Sequence, residues 1–195
     1  MHSIGRFSFG QLYVLPPHPM SMVAVVTLDE DSRNSLLDCC ENLNEMIHWL
    51  DSIDCRPGLE ELDSRLSSME INLEGLKKHI GYTEDNGYQR NIIKKTEHYE
   101  MVAITWRAGK TTPIHDHKGS DCAFLIVEGT STETIYELNE DNLAVPSHVR
   151  HYAPGEVCAA SEPDIHRISN ETDGDLINLH VYTPPLFAFD VYEAA

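Results

Sequence analysis

The sequence predicts a mainly β fold, a β-barrel preceded by a helical N-terminal segment. Three observations point there. Apolar residues recur at helical spacing as far as Ile80. From Tyr88 onward, short runs rich in β-branched and aromatic residues alternate with turn signals. These short runs follow one another with no helical pattern between them, as in a sandwich or barrel rather than an alternating α/β sheet.

In order along the chain, residues 1–27 are expected to be an irregular leader, because "LPPHP" resists both helix and strand. Leu36, Leu37, Cys40, Leu43, Ile47 and Leu50 then form a helical stripe, with Asp29 to Asp31 as an acidic first turn and candidate caps. Leu59 to Ile80 reads as one or two further helices, and "GYTEDNG" ends the helical part. Strands are expected at 88–94, 99–107, 121–128, 131–138, 148–152, 156–159, 164–169 and 175–182. The 195 residues suffice for one structural domain, with 1–81 as leader and helices packing on a barrel formed by 82–195.

The charge balance narrows the function. Fourteen Lys and Arg face 32 Asp and Glu, a net of −18. Such a surface repels phosphate backbones and anionic lipids, so neither nucleic acid nor a membrane is an expected partner. An anionic small substrate needs a cation inside a pocket. No apolar run approaches a membrane span, and the first residues lack the pattern of a secretory signal. Cys39, Cys40, Cys55, Cys122 and Cys158 form no C-x-x-C and no paired framework, which points to a reducing, cytoplasmic setting.

The chemistry concentrates in "GKTTPIHDHKGSDCAFLIVEG", Gly109 to Gly129. On a strand, His115 and His117 project to one face and Asp116 to the other. Two neutral imidazoles on a rigid strand are half of a metal site. A bare H-x-H among 11 histidines is weak evidence. The surrounding spacing strengthens it: Gly109, His115, His117, Cys122 and Gly129 resemble the first cupin motif G(X)5HXH(X)4E(X)6G, with cysteine at the glutamate position. "HRISN", His166 to Asn170, resembles the H(X)3N of the second motif, without its preceding glycine. Spacing alone does not rank His166 against His180 as third ligand; the H(X)3N match favours His166.

The run "HDHKGSDC" is similar to the cysteine dioxygenase family, thiol dioxygenases of cupin (jelly-roll-like) fold. "YQRN" (Tyr88 to Asn91), Trp106, "IHRISN" and "LHVYTPP" resemble further family segments in the same order, over roughly residues 82–187. The resemblance implies Fe(II) held by His115, His117 and His166. It implies Arg90 on a substrate carboxylate with Tyr88 supporting that end. His180 and Tyr182 would line the pocket and act on substrate and oxygen, and Cys122 and Tyr182 match a pair that some members join by a thioether. It departs at Asn178, where some members have serine, and in having 13 residues after Tyr182, so that part of the pocket wall of longer relatives is missing or supplied elsewhere. The isomer of Thr183-Pro184 stays open.

The expected function is therefore a non-haem iron cysteine dioxygenase, converting L-cysteine and O2 to cysteine sulfinic acid, as a cytoplasmic monomer in cysteine catabolism. A 3-mercaptopropionate dioxygenase would use the same arginine. A non-catalytic, metal-binding cupin sensor or binding module would not need Tyr88, Arg90, His180 and Tyr182 together. A zinc hydrolase lacks a general base beside the triad. Each residue also has a plain structural alternative: an exposed Arg90, a core Tyr88, an inert core thiol at Cys122.

Overall fold

The helical stripe from Leu36 to Leu50 forms as two helices, α1 (Glu30–Cys39) and α2 (Glu41–Ser52), because Cys40 breaks it with φ −128° and ψ 78°. Asp29 caps α1 by accepting from the Ser32 amide at 2.7 Å. Beyond lie α3 (Leu59–Ser67) and α4 (Leu73–Lys77). Asn72 joins the ends: its Oδ1 accepts from the Gly75 amide at 3.0 Å, and its Nδ2 donates to the Cys39 carbonyl at 3.0 Å. The computed structural model describes residues 22–84, 87–160 and 165–195; the first 21 residues of the expected leader, Asp85 and Asn86 of the expected turn and residues 161–164 lie outside it.

The strands are β1 (Met22–Thr27), β2 (Gly87–Lys95), β3 (Glu100–Trp106), β4 (Ile114–His115), β5 (Asp121–Glu128), β6 (Ser131–Leu138), β7 (Ala144–Tyr152), β8 (Val157–Ala160), β9 (Ile165–Ser169), β10 (Leu176–Thr183) and β11 (Val191–Tyr192). They form two sheets, β1-β2-β3-β10-β5-β8 and β11-β4-β9-β6-β7, a mainly β jelly-roll arrangement. Strands β3 and β10 are buried along their whole length. Alternation explains this. Ile177, Leu179 and Val181 join Met101, Ala103, Ala123 and Leu125 in a core under the helices, with Leu36, Leu62 and Leu66. Leu176 and Tyr182 face the other way, into a second core with Val102, Ile104, Trp106, Phe124 and Ile168. The site residues belong to this inward face.

The structure corrects the reading in several places. The end of the expected irregular leader, Met22 to Thr27, is an ordered edge strand paired in parallel with β2; "MVAVVT" is a continuous apolar run without alternation, hidden behind the prolines. Strand β7 starts at Ala144 rather than 148, since Pro146 is tolerated on an edge where no amide is needed. Strands β4 and β11 are two residues each, too short for a periodic signal. The Thr183-Pro184 bond is cis.

Gly109 and Gly129 both have positive φ, at 72° and 80°. A Cβ at Gly109 would meet open space, whereas at Gly129 it would lie 2.5 Å from the Asp175 carbonyl oxygen. Gly109→Ala should therefore cost about 1 kcal/mol for the left-handed backbone alone. Gly129→Ala should cost about 2 kcal/mol more through the clash. Urea unfolding of the two variants side by side checks the difference; equal losses would contradict it.

Candidate metal centre

His115 sits on β4 and pairs directly with His166 on β9. His117 follows two residues later, and one potential ligand atom from each of these three side chains lies within 4.8 Å of the others. The structure thus brings His115, His117 and His166 together, while His180 stands on β10 beside them.

Hydrogen bonds set the tautomers. His166 Nδ1 lies 2.8 Å from Glu133 Oε1. An ionised carboxylate only accepts, so Nδ1 is the donor here and Nε2 is the ring nitrogen left to face a metal. His115 Nδ1 lies 3.0 Å from the Pro113 carbonyl, with the same consequence. The Nε2 atoms of His166 and His117 are 3.4 Å apart. Two nitrogens at about 2.0–2.1 Å from one ion, at a tetrahedral angle, would be separated by about that distance. That pair of donors is spaced for a divalent transition-metal ion, with a His115 ring nitrogen within 4.8 Å of both.

Burial keeps the site neutral. It lowers the pKa of His115 to about 3, with His166 adding to the effect. Burial first also holds His117 and His180 well below the ordinary histidine value, with the neighbouring His166 next for His117 and Arg90 next for His180. Glu133 is the exception. Burial pushes its pKa up, but its bond to His166 and the nearby Arg150 win and hold it below the ordinary value. Tyr152 also donates to Glu133 Oε2 at 3.2 Å and Cys158 at 3.6 Å. This is the carboxylate–histidine support common behind metal ligands.

The remaining candidates line the same cavity: Tyr88, Arg90, Trp106, His180 and Tyr182. Its free space is about 20 Å³, about the room of one water. Tyr88 stacks on Trp106, ring centres 5.8 Å apart. His180 stacks on Phe124 at 4.6 Å, and its Nδ1 lies 3.2 Å from the Tyr182 hydroxyl and 3.5 Å from Cys122 Sγ. Cys122 and Tyr182 are directly opposed across β5 and β10. Burial raises the pKa of both groups well above their ordinary values. His180 Nε2 and Trp106 Nε1 are buried without a hydrogen-bond partner, polar atoms in a cavity wall that a polar ligand would satisfy. Asn178 does not reach His180, the bond its position allowed; its Nδ2 donates to Ser131 Oγ at 3.2 Å. Arg90 faces inward, and its Nη2 donates to Glu100 Oε1 at 2.8 Å.

Sequence reasoning missed Glu133 and Glu100. Both left a signal. Glu100 is the one charged residue in "EMVAITW" and shares parity with the inward Val102, Ile104 and Trp106. Glu133 stands at the centre of "STETI", flanked by threonines, on a strand whose first half is buried.

The cysteine dioxygenase type I family model matches residues 59–195. The chain is 24% identical over 154 residues to cysteine dioxygenase type 1 of Danio rerio, covering 74% of each chain. It is 27% identical over 141 residues to that of Rattus norvegicus, covering 68% of this chain and 70% of the relative. Among solved structures it is similar to a conserved protein with a double-stranded β-helix domain from Klebsiella pneumoniae, with TM-score 0.50 and 16% identity, covering 65% of this chain and 98% of that one; this likeness concerns the fold.

Because the folded pKa values of His115, His117 and His180 lie below the ordinary value, the unfolded chain binds more protons once the pH drops below about 6.5. Stability of the metal-free protein should be full above that pH and fall steadily toward pH 3, where His115 itself titrates. Thermal melts from pH 7.5 to 4.5 should show a dropping Tm, and a flat profile would contradict it. Glu133→Gln should weaken metal binding about 10- to 100-fold, measured by competition with a chromogenic chelator.

Proposed function

The chain belongs to the cysteine dioxygenase type I family of the cupin superfamily, and from that premise we propose that it oxidises L-cysteine with O2 to cysteine sulfinic acid. The observation that supports this most is the convergence of three imidazoles beside an inward arginine in one buried cavity. His115, His117 and His166 would hold Fe(II). With three neutral ligands the ion keeps its full charge, lowers the pKa of a bound thiol and supplies the one-electron chemistry that O2 requires. Both oxygen atoms pass to sulfur, which gives up four electrons, so no outside reductant enters.

The chain's own residues bind and orient. Arg90 takes the substrate carboxylate in charge-assisted hydrogen bonds. Tyr88, stacked on Trp106, closes that end. His180 stays neutral and holds the Tyr182 hydroxyl through Nδ1. Between them they hold one N–H and one O–H; one proton lies in the hydrogen bond that joins them, and the other would be available to the oxygens that the sulfur gains. A thioether between Cys122 and Tyr182 is part of the proposal: the S–H and a ring C–H give way to an S–C bond, and two electrons and two protons pass to O2. The protein is proposed to act as a cytoplasmic monomer. All five cysteines are free, and among the described residues no helix is long and apolar enough to cross a membrane.

Iron-loaded protein should consume one O2 per L-cysteine and form the sulfinate, while zinc-loaded protein should consume none. Its kcat/KM for L-cysteine should exceed that for 3-mercaptopropionate; the reverse order moves the assignment to that thiol, and metal binding without uptake leaves a binding module. Arg90→Ala should raise the KM for L-cysteine about 100-fold. On denaturing gels the turned-over protein should gain a faster band, lost in Cys122→Ser and Tyr182→Phe.

A further inference from the structure

Arg90 is not a free cation. Glu100, on the neighbouring strand, is 1% exposed and holds Arg90 Nη2 at 2.8 Å through Oε1. Its other oxygen, Oε2, accepts from Lys95 Nζ at 3.1 Å. Lys95 is 40% exposed along its side chain and lies at the outer edge of the group, its amine 5.4 Å from the Phe187 ring centre. The Arg90 guanidinium also lies 5.2 Å from the centre of the Tyr182 ring, so one side of it is an aromatic face. What reaches a ligand is the remaining edge of a guanidinium whose charge is largely cancelled by a buried carboxylate.

Like charges repel across a buried, weakly screened site. A carboxylate placed on the remaining edge of Arg90 is close enough to Glu100 to feel this repulsion. A thiol with no carboxylate does not feel it. We infer that Glu100 is a positioning residue that sets substrate selectivity: by fixing one edge of Arg90 and offsetting its charge, it weakens the grip on carboxylate-bearing thiols and narrows their advantage over small aminothiols that lack a carboxylate. This rests on the proposed role of Arg90 as the carboxylate contact. Lys95 acts in the opposite sense, because it offsets Glu100 from the outside.

The test uses the iron-loaded protein and three probes: L-cysteine, 3-mercaptopropionate and cysteamine, which has no carboxylate. Each is titrated anaerobically by calorimetry and then assayed for oxygen uptake. Glu100→Gln keeps an acceptor for Arg90 and removes the charge. It should tighten Kd and lower KM for the two carboxylate thiols about tenfold, leaving cysteamine and every kcat within about twofold. Lys95→Gln, an exposed change that serves if the buried variant does not fold, should weaken the two carboxylate thiols about threefold and spare cysteamine. Parallel changes for all three probes, or none, mean that Glu100 only buttresses the strand and overturn the inference. Wild-type protein that binds the carboxylate thiols no better than cysteamine, with no change in Glu100→Gln, overturns it too. Binding that follows the expected pattern without oxygen uptake would sink the proposed reaction and leave the inference standing.

Discussion

Strand β10 is buried on both faces, and the architecture follows from that constraint. Its outward residues Ile177, Leu179 and Val181 lie in the core beneath the helices. Without that cover the sheet would expose an apolar face. Its inward residues Leu176, Asn178, His180 and Tyr182 then cannot reach water, so each polar one needs a partner inside. Tyr182 and His180 find each other, and Asn178 finds Ser131. The helical segment carries no chemistry, yet it makes β10 a rigid floor on which a polar cavity can be built.

The same exclusion of water governs the metal centre. A buried imidazolium is costly, so burial disfavours the charged forms of His115 and His117 and leaves them lone pairs for a metal. Glu133 is the one buried anion in contact with a candidate ligand histidine among the described residues, and it is ringed by His166, Tyr152, Cys158 and Arg150. That many donors allow it to remain ionised while buried. It sits behind His166, on the ring nitrogen away from the metal position. The ion would therefore see neutral ligands directly and an anion only through an imidazole, which is how a site binds metal without giving up the charge that attracts a thiolate.

Much of this was legible in the sequence, for a physical reason. Period-2 alternation and turn residues are local signals, so strands β2, β3, β5, β6 and β10 could be read almost to their ends. The spacing from Gly109 to Gly129 could be read because the motif is local too, and Gly129 shows why its glycine is needed: a Cβ there meets the Asp175 backbone. The partnerships between distant strands were not legible. Nothing near Glu133 announces that His166, 33 positions away, will meet it. Nothing in "YQRN" tells that Arg90 arrives already paired, because Glu100 comes from the next strand after a register shift between Ile92 and Lys94. Nor does the sequence show that Asn178 meets Ser131 across the interior.

Charge at long range bears on which thiol such a cavity would meet. The chain carries a net of −18, and that field opposes the approach of any free anion. Salt confines the effect to about 8 Å from the surface at physiological ionic strength, so it acts on the last stage of the encounter. L-Cysteine near neutral pH is a zwitterion with no net charge and crosses that shell unopposed; 3-mercaptopropionate arrives as an anion. Inside, the order reverses, because Arg90 and a divalent ion both favour negative groups. In the proposed reaction, the acidic exterior would oppose the approach of the mercapto acid and leave that of the zwitterionic amino acid unhindered.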